Sequence, residues 1–325
     1  MSTLYLDRRG LSLRLEGRAL ALYADHERQG TVPLHLLERV VMRSAVELES
    51  SLLARLADAG IGVLIFGGRH ASKQALVLPR AGNDGARRVG QYCRYGDAAW
   101  RRAWSERLVL GKLKGQLRLL RRALGERPDL RHPLVEGLEQ IERDRARILA
   151  DGSLSIASLR GIEGAAAAAY FKGFARMLPE SLGFTGRNRR PPRDPANAVL
   201  SLGYTLLHFE AVRACHGAGL DPMIGFFHEL EFGRESLAAD LIEPLRPRVD
   251  AWAWDQFRHQ VLRVDDFRRE GDACLLGKNG RQRFYGEFEA LARPLRRLLR
   301  RFTARLASGL AQAGLAAVSD RGETQ

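Results

Sequence analysis

The chain of 325 residues is 45% hydrophobic and 28% charged, which is typical of a globular protein with a sizeable core. Its formal net charge is +14, and arginine supplies most of the positive charge. Because the guanidinium fork suits phosphate oxygens, this excess favours nucleic acid as a partner, although GC-rich coding would also enrich arginine. The sequence shows no signal peptide and no long uncharged apolar run, so we expect a cytoplasmic protein that does not enter a membrane.

Several classes of site lack sequence support. The cysteines Cys93, Cys215 and Cys274 form no C-x-x-C pair, which indicates reduced thiols and argues against a structural zinc site. The sequence also contains no G-x-x-x-x-G-K-[ST] loop, no dinucleotide fingerprint after a strand and no G-x-S-x-G elbow. ATP hydrolysis, nicotinamide redox chemistry and α/β-hydrolase chemistry are therefore not indicated.

The beginning of the chain carries the pattern of a β-rich fold. Leucines alternate with other residues over 11–15 and 20–22, on either side of a turn at Gly17, which predicts a hairpin. Further strands are predicted over 32–42, 61–66 and 74–78, and helical spacing predicts one helix over 46–59. We therefore predict a small β-sandwich-like domain over residues 1–79.

The pattern changes after this domain. Residues 80–90 are predicted to be a linker, and residues 91–325 are predicted to be almost entirely helical. Helices are predicted over 104–120, 134–149, 156–179, 195–216, 236–249 and 293–313. The sequence thus predicts a two-domain α+β protein, with a β-rich N-terminal domain and a larger all-α-helical domain.

One stretch, residues 219–250, combines the residue types of a divalent-metal site. His228 follows a short apolar run, and Asp240 and Glu243 come three residues apart in a predicted helix, which places both carboxylates on one face. An imidazole beside two carboxylates suits a hard divalent cation. A surface hydrogen bond between the histidine and the acidic pair would give the same pattern, so both interpretations stay open.

A further carboxylate, Glu163, shares a helical stripe with Ala167, Tyr170 and Phe174. Burying it without a partner would cost several kcal/mol, so it requires a cation or a hydrogen-bond donor. That partner is either Arg160 or another nearby arginine, in a salt bridge, or a metal ion. The alanines beside Glu163 allow another helix to approach closely, which would bring this carboxylate to the loop of His228.

Two basic segments are candidates for contact with a phosphate backbone. The first is a loop over 187–195, rich in arginine and proline, followed by a helix whose polar stripe contains Asn197, Ser201, Tyr204 and His208. The second is the C-terminal helix, with six arginines between 293 and 305 around a predicted core stripe of Leu295, Leu298, Leu299, Phe302 and Leu306. A solvated face is the alternative explanation for each charged or polar stripe.

Several motifs recur together in one order. They are Glu163-Gly164 before an alanine run and Tyr170-Phe171, Asn188-Arg189-Arg190-Pro191-Pro192 through Asp194-Pro195-Ala196-Asn197-Ala198, Gly219-Leu220-Asp221-Pro222, Gly225-Phe226-Phe227-His228 and Ser236-Leu237-Ala238-Ala239-Asp240-Leu241-Ile242-Glu243-Pro244. In these motifs the sequence resembles the CRISPR-associated integrase of spacer acquisition, the universal first CRISPR-associated protein. The resemblance covers the β-rich N-terminal domain, the linker and the helical domain.

The resemblance implies a metal-dependent DNA endonuclease and integrase that uses Mn²⁺ or Mg²⁺. Carried over by motif, the metal ligands would be Glu163, His228 and Glu243, with Asp240 as an accessory catalytic carboxylate. Some members of the family have aspartate at the third ligand position. The family also implies a homodimer, formed mainly through the N-terminal sheet, with two dimers flanking a small ferredoxin-like second CRISPR-associated protein.

The corresponding reaction is attack by the 3′-hydroxyl of a captured DNA fragment on a phosphodiester in the CRISPR repeat, with double-stranded and branched DNA as substrates. The candidate DNA-binding residues are Tyr170, Lys172, Arg189, Arg190, Asn197, Ser201, Arg248, Arg296, Arg297 and Arg300. Two alternatives remain: a non-catalytic nucleic-acid-binding scaffold, in which the acid and imidazole groups form a buried polar network, and a metal-dependent repair nuclease acting on branched DNA.

Overall fold

A computed structural model of the chain describes residues 2–67, 73–80, 82, 84–188 and 191–322. The chain forms two compact units: Met1–Asn83 with His216–Gly219, and Asp84–Cys215 with Leu220–Gln325. No helix in these described ranges is both long enough and apolar enough to cross a membrane.

The first unit consists of two four-stranded sheets and a helix in its described residues. Its elements are β1 (Ser2–Leu6), β2 (Leu11–Glu16), β3 (Ala19–Ala24), β4 (Glu27–Pro33), β5 (Leu37–Met42), β6 (Val46–Leu48), α1 (Ser50–Asp58), β7 (Gly62–Gly67) and β8 (Lys73–Val77). The sheet orders are β1-β5-β7-β8 and β4-β3-β2-β6. The predicted hairpin is confirmed as β2 and β3, which pair antiparallel with Leu13 opposite Leu22.

An apolar core joins both sheets and the helix. It contains, among others, Leu6, Leu13, Leu20, Val40, Leu56 and Val63. Strands that alternate apolar and polar residues place one face on this core, and burial of that face is what stabilises the two sheets against each other. The prediction of a β-rich, sandwich-like N-terminal part is confirmed.

Two boundaries in this unit differ from the prediction. The single strand predicted over 32–42 is interrupted at Pro33, after which Leu34–Leu36 form a 3-10 turn before β5 begins. Proline has no N–H for the ladder, so it ends β4. The helix predicted over 46–59 begins only at Ser50, because Val46 and Leu48 alternate with period two and pair with β2.

The second unit is helical apart from one hairpin in its described residues. Its elements are α2 (Gly85–Gly96), α3 (Ala98–Glu126), α4 (Arg131–Ala150), α5 (Ile156–Met177), α6 (Pro195–Gly217), α7 (Ser236–Ile242), α8 (Arg246–Arg258), β9 (Phe267–Glu270), β10 (Ala273–Leu276) and α9 (Lys278–Gly322). Side-chain oxygens cap several of the helices: Asp97 accepts from the N–H of Trp100 at the start of α3, and Ser155 accepts from that of Ser158 at the start of α5. The prediction of a larger helical part is confirmed.

Helix boundaries also differ here. The helix predicted over 236–249 is interrupted by a 3-10 turn at Glu243–Leu245, which contains Pro244, and continues as α8 to Arg258. The hairpin of β9 and β10 was not predicted, and α2 begins at Gly85, inside the predicted linker. The C-terminal helix is longer than predicted, because α9 begins at Lys278.

Helices α2 and α9 cross at two glycines. A Cβ at Gly90 would lie 1.8 Å from the carbonyl oxygen of Leu310, and a Cβ at Gly314 would lie 1.9 Å from that of Ala86. Only glycine permits this backbone approach. Elsewhere on α9, two residues of the predicted core stripe, Leu295 and Leu299, are buried. Leu298 is 41% and Phe302 44% exposed, so the prediction that these two belong to the core is wrong.

Candidate active site

Two carboxylates from different elements meet at one lysine in the second unit. The ammonium of Lys112 on α3 lies 2.5 Å from Oε1 of Glu163 on α5, and it also contacts Oε2 of Glu243 in the turn after α7. The three side chains are 12%, 20% and 8% exposed, respectively. Positions far apart in the chain thus converge on a single, largely buried cation.

Two glycines on α3 face the segment that follows Glu243. A Cβ at Gly111 would lie 3.4 Å from the Cβ of Pro244, and a Cβ at Gly115 would lie 3.0 Å from the Cγ of Pro247. These two glycines are four residues apart and therefore share one helical face. A Cβ at Gly111 would meet Pro244 at an ordinary contact distance, whereas one at Gly115 would be tight against Pro247, so Gly115 is the position that lets the start of α8 pack closely on α3.

Lys112, Glu243 and Arg246 keep their charge at neutral pH. Burial alone would lower the pKa of Lys112, but the carboxylates of Glu243 and Glu163 outweigh burial and raise it. Burial would likewise raise the pKa of Glu243, but Arg246 and Lys112 hold it well below its ordinary value, with a further contribution from His228. Arg246 donates from Nε to Oε1 of Glu243 at 2.8 Å.

A second cluster orients His228. The carboxylate of Asp240, which is fully buried, accepts the backbone N–H groups of Phe226, Phe227 and His228 at 2.7, 2.9 and 3.0 Å. The Nδ1 of His228 lies 2.6 Å from the same carboxylate, and an ionised carboxylate can only accept, so Nδ1 carries the proton. Asp240 therefore fixes both the loop and the tautomer, so that in the neutral imidazole the free lone pair is on Nε2.

Close packing holds this loop in place. A Cβ at Gly225 would lie 2.6 Å from the backbone of Ser236, so the loop can pass the start of α7 only with glycine there. The ring of Phe226 packs edge-on against Trp100 and Trp104, with centroid distances of 4.7 and 5.2 Å. These contacts give His228 a rigid support.

Arg160 binds the loop of His228 and does not pair with Glu163. Its Nε donates to the carbonyl of Phe227 at 3.0 Å, and its guanidinium pairs with Glu229 at 2.6 Å. The alternative in which an arginine such as Arg160 neutralises Glu163 is wrong, because Lys112 takes that role.

The predicted ligands thus fall into two pairs: Glu163 with Glu243 on Lys112, and His228 with Asp240. In the part of the chain that the structure describes, no three His, Cys, Asp or Glu side chains are arranged so that they could hold a metal ion. The chemistry of the donors nevertheless fits a divalent cation. Two carboxylates already face a common positive charge, and His228 retains an imidazole nitrogen suited to coordination.

A buried network continues from this cluster. Arg246 lies over the ring of Tyr204, with 4.6 Å between the guanidinium carbon and the ring centroid. Tyr204 and Tyr170 both donate their hydroxyls to Asp250, the latter at 2.8 Å. Burial raises the pKa of Asp250 to about 6, although the two hydroxyls and the nearby Arg187 and Arg246 act against this rise.

Three predicted DNA contacts, Tyr170, Asn197 and Arg296, have buried side chains that bind other groups of the protein. Tyr170 lies against Asp250, and Arg296 is 4% exposed and pairs with Glu289 and Glu210. Asn197 donates to the carbonyl of Gly186 at 2.8 Å and to Asp194 at 2.6 Å, and so it ties the basic loop to α6. These side chains make their hydrogen bonds and ion pairs inside the protein.

The other candidates differ in their exposure. Lys172, Arg248, Arg297 and Arg300 are exposed, and Ser201 is half-buried and accepts a hydrogen bond from Arg187. Lys172 pairs with Glu136 at 2.7 Å. Arg189 and Arg190 lie outside the described residues. For the exposed residues and for Ser201, the DNA-binding role stays a prediction.

Sequence reasoning missed Lys112 and Arg246. A signal for Lys112 existed, since it continues the i, i+4 series of Trp104 and Leu108, which are both buried. A charged residue on an apolar stripe requires a counter-charge, which is the argument that singled out Glu163. Arg246, three residues after Glu243, could have been found as its neighbour on the next turn.

The fold and the site together define a class: a basic, two-unit α+β protein whose helical unit carries clustered carboxylates and an imidazole, as expected of an enzyme that processes nucleic acid. The family comparison identifies it further. The family model described as CRISPR associated protein Cas1 matches residues 4–290. The chain therefore belongs to the Cas1 family, as the sequence motifs indicated.

Known relatives and structures agree with this assignment. The chain is 38% identical over 297 residues to the CRISPR-associated endonuclease Cas1 1 of Thermodesulfovibrio yellowstonii, covering 89% of this chain and 91% of the relative. A CAS1 protein from Thermotoga maritima has the same fold, with a TM-score of 0.81 and 22% identity over 95% of this chain and 97% of that one.

Two further structures share the fold. A casposase bound to its integration product has a TM-score of 0.79 and 21% identity, covering 95% of this chain and 91% of that chain. A chain of a Cas6-RT-Cas1–Cas2 complex has a TM-score of 0.80 and 24% identity, covering 96% of this chain and 35% of that chain.

The support of the His228 loop can be tested with Asp240→Asn. The substitution removes the charge that accepts four hydrogen bonds and turns an NH₂ group toward N–H donors. We expect the free energy of unfolding to fall by about 2–4 kcal/mol and the Nδ1-protonated tautomer to lose its preference. Denaturant unfolding and ¹⁵N NMR of the imidazole measure the two effects.

The control is Glu231→Gln, at an exposed position of the His228 loop, which should change the free energy of unfolding by less than about 0.5 kcal/mol. An unchanged tautomer in Asp240→Asn would contradict the assignment.

The raised pKa of Asp250 predicts a dependence of stability on pH. The folded protein binds the proton more tightly than the unfolded chain, whose pKa is near 3.8, so ionisation of Asp250 costs stability as pH rises through about 6. Relative to Asp250→Asn, the wild type should therefore gain about 1 kcal/mol between pH 7.5 and pH 5. Urea unfolding of both proteins at the two pH values measures this. A stability difference that does not change with pH would show that Asp250 has an ordinary pKa.

Proposed function

We propose that this chain is a metal-dependent DNA endonuclease and integrase, which inserts captured DNA fragments into a CRISPR array. In this reaction the 3′-hydroxyl of the fragment attacks a phosphodiester of the repeat, and the new P–O bond forms as the bond from phosphorus to the 3′-oxygen of the repeat strand breaks, which leaves a 3′-hydroxyl on that strand. Attack by water at the same site gives nuclease activity. The observation that carries the proposal is the convergence of Glu163 and Glu243 on one cation position, in the same unit as an oriented imidazole. Membership of the Cas1 family, and the endonuclease name of the 38% identical relative, support the activity.

The residues that would hold the ion are Glu163, His228 and Glu243. Glu243 is preferred to Asp240, because the oxygens of Asp240 are committed to three backbone N–H groups and the imidazole. Glu243, in contrast, contacts only cationic side chains among the described residues, and a metal ion can replace one of them. Two carboxylates and one imidazole suit Mn²⁺ or Mg²⁺.

When bound, the cation would polarise a non-bridging phosphate oxygen and lower the pKa of the attacking hydroxyl. Asp240 would keep the imidazole of His228 in one tautomer and orientation through the reaction. Arg246 would remain beside Glu243 and balance its charge from the side opposite to Lys112. Exposed basic residues such as Lys172, Arg248, Arg297 and Arg300 would hold the DNA backbone without reading its sequence.

The proposed partners are double-stranded and branched DNA, a second copy of the chain and the small second CRISPR-associated protein. The net charge of +14 supports binding to DNA. Structures with this fold include a casposase bound to an integration product and a complex with Cas2, and both support the proposed partners by analogy. The N-terminal sheets would form the homodimer.

The site is tested by Glu163→Gln and Glu243→Gln, which keep the size of each side chain and remove its charge. We expect each substitution to reduce both Mn²⁺-dependent strand transfer and cleavage of branched DNA by at least about 100-fold, because one of the proposed metal ligands is lost. DNA affinity, measured by fluorescence anisotropy, should stay within about twofold, since exposed basic residues would make most of the contacts to the backbone.

The matched control is Glu139→Gln, an exposed carboxylate on α4, which should keep full activity. Near-normal strand transfer by Glu163→Gln or Glu243→Gln would remove that residue from the site. A wild-type protein that binds DNA but shows no metal-dependent cleavage would favour the non-catalytic scaffold instead.

A further inference from the structure

We propose that the ammonium of Lys112 occupies the cation position of this site in the metal-free protein, so that a divalent ion binds by displacing it. Lys112 then acts as a positioning residue that keeps Glu163 and Glu243 together before the ion arrives and lowers the affinity for the ion. This inference rests on the proposed function, because it takes the same two carboxylates as metal ligands.

The contacts of the two carboxylates support this role. Among the described residues, Lys112 is the cation that Glu163 contacts, whereas Glu243 has Arg246 as well. Glu163 and Glu243 come from separate elements and are mostly shielded from water. Two ionised carboxylates in such a place repel each other and lose hydration, so without a shared cation the metal-free site would be strongly destabilised.

The same geometry makes the lysine and a metal ion exclude each other. Carboxylate oxygens coordinate Mg²⁺ at about 2.0–2.1 Å, which is a shorter distance than any ammonium contact. An ion between the two carboxylates would take the place of the ammonium, and the two positive charges would repel each other at a few ångströms. The side chain of Lys112 must therefore move, and its four methylene groups provide the required freedom.

In the metal-free site the donors are turned to other partners. No metal-binding group of three ligands is formed in the described part of the chain, although three suitable donors lie in the second unit. The carboxylates of Glu163 and Glu243 are turned to the ammonium of Lys112, and the imidazole of His228 is turned to Asp240. Displacement of the ammonium frees the oxygens that complete the ligand set.

The direct test compares Lys112→Met with Lys114→Met in the full-length protein. Methionine has nearly the length of lysine and no charge, and Lys114 lies on the same helix with an exposed side chain. By titration calorimetry with Mn²⁺ alone, we expect Lys112→Met to bind the ion at least about tenfold more tightly than wild type, which corresponds to about 1.4 kcal/mol. Lys114→Met should bind it as wild type does.

Stability in the presence of EDTA gives a second readout that does not depend on activity. Lys112→Met should melt at a lower temperature than wild type, and the added substitution Glu163→Gln should restore part of the loss, because it removes one of the two repelling charges. Lys114→Met should melt as wild type does. A melting temperature of Lys112→Met equal to that of wild type in EDTA would overturn the proposal.

A measurement on the wild type keeps the proposal testable if Lys112→Met does not fold. In ¹³C NMR of the lysine Cε groups, Mg²⁺ should shift the signal of Lys112 and leave that of Lys114 in place. An Mg²⁺-bound protein with an unshifted Lys112 signal would overturn the proposal.

The outcomes also separate this inference from the proposed function. If wild type binds Mn²⁺ through Glu163 and Glu243 but Lys112→Met binds it no more tightly, the displacement of Lys112 is wrong and the metal site stands. If neither wild type nor Lys112→Met binds Mn²⁺, the proposed function and this inference are both wrong.

Discussion

The contact between one ammonium and two carboxylates is the constraint on which the arrangement of the site depends. Lys112, Glu163 and Glu243 belong to three elements that are far apart in the chain, and each would be costly to bury alone. Their mutual neutralisation lets α3, α5 and the turn after α7 pack together. Gly115 lets the start of α8, directly after that turn, pack closely on α3. Electrostatics and close packing therefore act at the same point.

Asp240 and Glu243 show how two similar residues, three positions apart, acquire different roles. Asp240 lies within α7 and is enclosed by backbone donors, so its charge is used to shape the loop of His228. Glu243 lies in the 3-10 turn that contains Pro244, and its carboxylate contacts Lys112 and Arg246. Spacing alone put both on one helical face, but the end of α7 between them separates their surroundings. This division supports Glu243 as the ligand and Asp240 as the residue that orients the imidazole.

Local pattern was enough to predict much of the fold. Alternating leucines gave the first hairpin, and helical spacing gave most of the long helices. The errors lie where a tertiary contact decides the outcome. Val46 and Leu48 became a strand because β2 was available to pair with them, and Phe302 stayed exposed because α9 packs through another face. Neither fact is visible in the sequence near those residues.

The site was predictable in its residue types but not in its partners. A carboxylate on an apolar stripe implied a buried cation for Glu163, yet nothing local showed that this cation is Lys112, 51 positions earlier. The sequence of a helix with a polar stripe likewise does not show whether that stripe faces water or the interior of the protein. Asn197 ties a loop to its own helix, and Arg296 pairs with Glu210, which is remote in sequence. Long-range pairing thus decides which polar residues are free to meet a ligand.

The most direct test of this account is a crystal structure of the protein soaked in Mn²⁺, with the ion located by its anomalous scattering. The account predicts one peak between the carboxylates of Glu163 and Glu243, with Nε2 of His228 as a further ligand and the ammonium of Lys112 moved away from both. A peak elsewhere, or an ammonium that still bridges the two carboxylates at saturating Mn²⁺, would contradict it.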